Sequence, residues 1–93
     1  SGARNIPTVR PLSTHAAQPV EVRPTRYDQA KEVADLFKSG QSVLLNIGSA
    51  DSEIARRLLD FSSGLIYGMQ GTMEKVSPGV FLIKPYGASS PRI

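Results

Sequence analysis

The chain has 93 residues, 40% of them hydrophobic, no cysteine and a formal net charge of +3. A chain of this length forms at most one small domain, and the missing cysteines exclude disulfide bonds and thiolate metal sites. No apolar run approaches the ~20 residues of a membrane-spanning helix, so we expect a cytoplasmic domain. The basic surplus comes largely from scattered arginines at the margins of the folded part, and it is a weak indication of an acidic partner.

Residues 1–19 are predicted to form a flexible linker. Prolines, arginines and small polar residues occur there without any period, which is typical of segments that do not fold by themselves. The sole histidine, His15, lies in this segment, and we expect it to be solvated and without a functional role. The sequence Val20-Glu21-Val22-Arg23 then alternates apolar and polar residues and predicts a short edge strand.

Asp28 begins a stretch that predicts an amphipathic helix. Apolar residues follow the spacing of one helix face, at Ala30, Val33, Ala34 and Phe37. Asp28 is the expected N-cap, and Gly40 supplies a left-handed stop. An ion pair between Lys31 and Asp35, one turn apart, is expected on the solvated side.

The second strand is predicted at residues 41–47, with apolar side chains on both faces at its centre. Because a helix separates it from the first strand, the two should pair in parallel through a right-handed crossover. A longer helix follows, with a wide apolar stripe from Ile54 to Met69. We expect Gly71 to end it, and Gly64 and Gly68 inside it to allow close approach to the sheet or to another helix.

Two strands joined by Ser77-Pro78-Gly79 are predicted to close the folded part as a hairpin. They lie at residues 72–77 and 80–84, and residues 87–93 form a polar tail. The second of them contains the unbroken apolar run Val80-Phe81-Leu82-Ile83, so it must bury both of its faces. A chain this short has little left to cover the second face.

These elements predict an α/β two-layer sandwich of the α+β kind, a four-stranded mixed sheet with two helices in the order β-α-β-α-β-β. The core domain should span residues 20–86. If both helices cover one face, the other shows Leu44, two of the residues Val80–Ile83, and one or two of Met73 and Val76. Leaving four such side chains bare would forgo ~6–12 kcal/mol, comparable to the stability of a whole domain. We therefore expect a homodimer in which a second copy covers this face.

Three segments carry a family resemblance: the strand VLLNI, the helix RRLLDFSSGLIYGMQG and the hairpin that ends in VFLIKP. In this order they resemble the C-terminal core domain of SepF, a family of cell-division proteins of bacteria and archaea. The resemblance extends from Tyr27 to Pro85, which is nearly all of the predicted core.

The resemblance implies a non-catalytic adaptor in septum formation. A SepF-like core is expected to form homodimers and higher polymers, and to bind the C-terminal tail of FtsZ, the tubulin-like protein of the division ring. Full-length members look like membrane anchors that align FtsZ filaments at the division site. Their anchor is an N-terminal amphipathic helix, which is absent from these residues; residues 1–19 look like the end of the linker that follows it.

The hairpin has the composition that such a tail requires. FtsZ tails mix acidic and apolar residues, so their receptor needs an apolar groove edged by positive charge. We predict Phe81 as the apolar anchor and Lys75 as the partner of the tail carboxylates, with further contacts from Val76, Leu82, Ile83 and Lys84. The residues predicted for the dimer or oligomer interface are Leu44, Gly71, Met73, Phe81 and Ile83. An ordinary role, with Phe81 in the core and Lys75 solvated, stays open.

Other classes of function find less support in the sequence. Catalysis lacks convergent reactive groups, and GSADS after a strand lacks the lysine and the spacing of a phosphate-binding loop. Nucleic-acid binding is disfavoured because the arginines are scattered and interrupted by acids. The strongest alternative is a small regulatory ligand-binding α/β domain. We expect no cofactor, no metal and no nucleic-acid partner.

Overall fold

The computed structural model describes residues 18–87. They form, in chain order, β1 (Val20–Val22), a 3-10 turn (Tyr27–Gln29), α1 (Ala30–Lys38), β2 (Val43–Asn46), α2 (Ser52–Gly68), β3 (Thr72–Ser77) and β4 (Val80–Lys84). The predicted order β-α-β-α-β-β is therefore confirmed. Nearly all of the predicted linker and tail, His15 included, lies outside the described residues.

The four strands form one mixed sheet in the order β1-β2-β4-β3. The first two strands pair in parallel, with Val20 opposite Val43, as the intervening helix predicts. The other pairs are antiparallel, and β4 lies between β2 and β3. The last strand of the chain is thus a central strand, which agrees with its unbroken apolar run.

The first helix begins one residue later than an N-cap at Asp28 predicts. Asp28 lies inside the 3-10 turn, and α1 starts at Ala30. The Gln29 side chain occupies the turn instead, because its Oε1 accepts hydrogen bonds from the backbone N–H groups of Thr25 at 2.8 Å and Arg26 at 3.0 Å. The prediction of Asp28 as N-cap was therefore wrong.

The other local predictions for α1 are confirmed. Gly40 has a φ of +92°, the left-handed conformation that stops a helix. The Lys31 Nζ lies 3.0 Å from the Asp35 Oδ2 on the exposed side. Such an exposed pair contributes little to stability, about 0.3–0.5 kcal/mol.

Both helices cover the same face of the sheet, which we call the helix face. The residues of the resulting core are almost fully buried, among them Val22, Val43, Leu45 and Ile83 from the sheet and Val33, Phe37, Leu58 and Ile66 from the helices. Residues opposite one another in the ladder point the same way, so Ile83 shares this face with Val43 and Met73. Neither helix within residues 18–87 combines the length and apolar character that a membrane span needs.

Gly71 belongs to this core, in a role other than the predicted helix stop. α2 ends at Gly68, and the left-handed residue after it is Gln70, with a φ of +61°. A Cβ at Gly71 would overlap the Phe37 ring and lie 2.6 Å from the carbonyl oxygen of Lys84. This position therefore needs glycine because α1 and β4 approach it closely.

The opposite face, which we call the open face, is covered by no described element. Leu44 and Leu82 lie opposite each other at its centre, and Glu21 and Glu74 continue the same row on the two edge strands. Val80 stands beside Asn46 in the next row. Leu44, Val80 and Leu82 are only half-buried, so this face keeps apolar surface in contact with solvent.

Candidate functional site on the hairpin

Lys75 and Phe81 form a direct cross-strand pair on the helix face. Phe81 lies opposite Leu45 on one side and Lys75 on the other. Phe81 is half-buried against the core, whereas Lys75 is exposed. An aromatic ring with a lysine beside it is therefore available to solvent at this end of the sheet.

A β-bulge in β3 makes this pair possible. Ser77 lies opposite Val80, so a regular antiparallel ladder would place Lys75 opposite Leu82, on the open face. The register shifts between Lys75 and Ser77, with Val76 as the extra residue, and Lys75 comes to lie opposite Phe81 instead. Because side chains alternate between faces, this shift of one residue decides which face carries the lysine.

The helix cover ends at this pair. Ile83, two residues further along β4, is 0% exposed, whereas Phe81 keeps part of its surface. The hairpin tip is held by a hydrogen bond of 2.8 Å from the Ile47 N–H to the Gly79 carbonyl, and α2 begins five residues after Ile47. The ring of Phe81 thus lies at the margin of the core, at the end of the sheet from which the chain leaves for α2.

One flank of α2 is held away from this margin. The Arg57 guanidinium carbon lies 4.2 Å from the centre of the Tyr27 ring, which packs edge-on against Phe61 at 6.4 Å. With 100° per residue, Ala55 and Leu59 fall on the opposite flank of the helix. Both are half-buried against the core, as Phe81 is. We call the exposed part of the Phe81 ring, with Lys75 at its rim, the ledge.

The electrostatics of the ledge are simple. The ion pairs within residues 18–87 join Glu21 to Arg23, Arg26 to Asp28 and Lys31 to Asp35, so Lys75 takes part in none of them. The neighbouring Glu74 points to the open face, since it lies opposite Leu82. The ledge therefore presents one positive charge next to apolar surface.

Only part of the predicted binding site comes together. Lys75 and Phe81 share the helix face, and Val76 is 47% exposed at the bulge beside them. Leu82 and Lys84 lie on the open face, and Ile83 is buried in the core of this chain. The reason is the period of two along β4, which sends neighbouring residues to opposite sides.

The predicted interface residues are also separated. Leu44 lies on the open face, but Met73 and Phe81 pack against the core. Ile83 is fully buried, and Gly71 faces Phe37 of its own chain. Of the five, Leu44 alone is on the open face, where its apolar neighbours are Val80 and Leu82.

Sequence reasoning singled out Lys75 and Phe81 but did not foresee the bulge at Val76 that makes them a direct pair. No residue pattern in the hairpin marks that bulge. Across residues 18–87 no cluster of three or more histidine, aspartate or glutamate side chains is arranged to hold a metal ion.

Comparison with known proteins identifies the family. The model of the family described as "Cell division protein SepF" matches residues 20–89. A SepF from Frankia alni is 37% identical over 73 residues, which cover 78% of this chain and 40% of the relative. A SepF from Acetivibrio thermocellus is 36% identical over 78 residues, covering 81% and 50%. Streptomyces avermitilis SepF 2 is 32% identical over 85 residues, covering 88% and 40%.

The chain thus spans about half, or somewhat less, of the length of these relatives, with 40–50% of each covered. The family match covers both helices and all four strands, including the bulged hairpin. On this basis the chain belongs to the SepF family of cell division proteins.

Proposed function

We propose that this chain is a non-catalytic adaptor of cell division that binds the C-terminal tail of FtsZ at the ledge of Phe81 and Lys75. The observation that carries the proposal is the bulged register of the hairpin, which sets an exposed lysine directly beside a half-buried aromatic ring. A tail that mixes acidic and apolar residues matches this pair of groups. Membership in a family of cell division proteins supports the partner.

The two residues have different roles in binding. Burying an aromatic or aliphatic side chain contributes about 1.5–3 kcal/mol, so Phe81 supplies most of the affinity. An exposed ion pair contributes only about 0.2–1 kcal/mol. Lys75 therefore acts mainly by selecting an acidic segment and raising its rate of association.

The adaptor works as a homodimer in this proposal. The open face offers Leu44, Val80 and Leu82 as apolar surface that a second copy covers. A dimer carries two ledges, so two tails of one FtsZ filament bind with a gain from effective concentration. Further contacts between dimers would produce polymers that align such filaments.

The place of action follows from the partner. FtsZ filaments assemble in the cytoplasm at the division site, and the adaptor is proposed to act there. In the longer protein, an N-terminal amphipathic helix would attach this domain to the membrane through the linker. The matched segment covers 40–50% of these relatives, so their remaining length leaves room for such a helix.

Calorimetry with a synthetic FtsZ C-terminal peptide tests the proposal. The double variant Lys75→Glu with Phe81→Ala should lose measurable binding, and circular dichroism should show that it still folds. Lys84→Glu is the matched control, because it reverses a strand lysine on the other face of the same hairpin. If the double variant binds as tightly as the unchanged chain, the ledge is not the site.

A further inference from the structure

The outer edge of β3 is a second feature of the hairpin. β3 is an edge strand of six residues, and five of its side chains are exposed. Its outer backbone N–H and C=O groups have no strand to pair with among residues 18–87. The other edge strand, β1, has three residues and is bounded by Pro19 and Pro24, which lack an N–H. An extended segment would therefore find a longer template on β3.

The regular part of this edge is Thr72 to Lys75. These four residues pair in continuous register with β4, and the bulge at Val76 interrupts the ladder beyond them. Bulges and lysines at sheet edges commonly limit uncontrolled pairing. Here the bulge leaves a template of four residues that ends beside the Phe81 ring.

The two sides of the template differ in chemistry. On the helix face an added strand would meet Met73, which is half-buried, and Lys75. On the open face it would meet Thr72 and Glu74. Opposite charges that face each other across strands stabilise a pair, and like charges destabilise it. The template therefore favours an acidic residue opposite Lys75, an apolar one opposite Met73 and a basic or hydroxyl residue opposite Glu74.

We propose that the acidic, apolar tail binds by adding an antiparallel strand to the edge of β3. This inference rests on the proposed function and specifies how the ledge is used. An antiparallel tail passes Lys75 first, then Glu74, then Met73. From its N-terminal side it therefore carries an acidic residue, then a basic or hydroxyl residue, then an apolar residue. Backbone hydrogen bonds hold the strand, and the ledge at Phe81 receives an apolar side chain that precedes the strand in the tail.

A second copy of β3 is a poorer occupant of this edge. Two copies of β3 would pair around a two-fold axis perpendicular to the sheet, which leaves each face of the sheet on the same side. One residue of β3 then lies directly opposite the same residue of the second copy. An axis at Glu74 places glutamate opposite glutamate, and an axis at Lys75 places lysine opposite lysine. An axis at Met73 avoids both clashes and places Thr72 opposite Glu74, but it leaves Lys75 opposite Gly71, with no partner charge. Charge complementarity thus favours the acidic tail.

A scan of backbone N-methyl groups along the synthetic FtsZ tail peptide tests this mode. Methylation of an N–H that points to β3 removes a hydrogen bond and adds a clash, so affinity should fall about tenfold or more. The N–H of the next residue points away from β3, so its methylation should leave binding unchanged. A loss that alternates with a period of two supports strand addition.

A charge exchange locates the register. Lys75→Glu should weaken binding of the unchanged peptide, and replacing one acidic residue of the peptide by lysine should restore it. The antiparallel register is supported if a lysine restores binding at only one position of the peptide, and if an apolar residue is required two positions after it, opposite Met73.

Three results would overturn the inference. If every N-methyl peptide binds equally, the tail does not pair with β3, although binding of the unmodified peptide to the ledge would still support the proposed function. If the unmodified peptide does not bind at all, the proposed function fails together with the inference. If the peptide binds only while halving the mass of the protein in light scattering, a second copy occupies the edge.

Discussion

β4 contributes similar apolar residues to both faces of the sheet, but these residues are buried to different extents. Ile83 and Phe81 point toward the helices, and Ile83 is 0% exposed. Leu82 and Val80 point the other way and stay half-exposed. An unbroken apolar run therefore contains two sets of residues, one for this chain's own core and one for a surface. Whether an apolar residue of β4 belongs to the core or to a surface therefore depends on whether a helix covers its face of the sheet.

Truncation of a buried residue on the helix face should have the largest effect on stability. Ile83→Ala should destabilise the fold by about 2–5 kcal/mol, because a buried aliphatic group is replaced by a cavity. Chemical denaturation measures the effect. If the free energy of unfolding falls by no more than it does for a substitution at an exposed position, the helices do not cover Ile83 as described.

Among the described glycines, Gly71 is the one at which an added Cβ would meet its neighbours most closely. Gly71→Ala should cost about 1–3 kcal/mol, since the new methyl group must displace the Phe37 ring and the backbone of β4. Gly64→Ala is the matched control, because no atom lies within 4 Å of a Cβ at that position. In α2 this control should gain stability, by about 1 kcal/mol. Equal effects on the melting temperature would contradict the close approach.

On the open face, the same truncation should have a different readout. Leu82→Ala should change the stability of the monomer by about 1 kcal/mol or less, because Leu82 is half-exposed. It should weaken the proposed dimer, and sedimentation at several concentrations would show this as a shift toward monomer. A dimer that persists unchanged would place the second copy elsewhere.

The smallest expected effect concerns the rim of the open face. The Arg23 side chain, and then the Asn46 amide, donate hydrogen bonds to Glu21 and hold its pKa below the ordinary value of 4.5. A lowered pKa stabilises the folded state above pH 4.5, and this contribution disappears as the pH falls through the folded-state value. The stability difference between the unchanged chain and Glu21→Gln should therefore shrink in acid. A difference that is constant with pH would show that the contacts of Glu21 do not favour its charged form.

Much of the fold was predictable because it depends on local patterns. The helical spacing from Ala30 to Phe37 and the stop at Gly40 were sufficient for α1, and both are confirmed. The start of α1 was missed because Gln29, three residues after Arg26, takes over the turn that Asp28 was expected to cap. Capping depends on which side-chain oxygen lies within reach of the free backbone N–H groups, and here that oxygen belongs to Gln29.

The candidate site was predicted less completely. Lys75 and Phe81 were singled out, and their direct pairing depends on the bulge at Val76, which no residue pattern announces. A regular hairpin would have moved Lys75 to the face of Leu82. Ile83, Leu82 and Lys84 were grouped with them because they are neighbours in sequence, although alternation separates them in space.

The amino-acid pattern alone was enough to predict which segments become helices and strands, their order and the parallel pairing of the first two strands. These features follow from the spacing of apolar residues and from short-range turn chemistry, which act over a few residues. Only the tertiary structure decided the strand order, the side of each residue of β4 and the place where the helix cover ends beside Phe81. Those depend on contacts between residues far apart in the chain, where a shift of one position in a ladder exchanges core and surface.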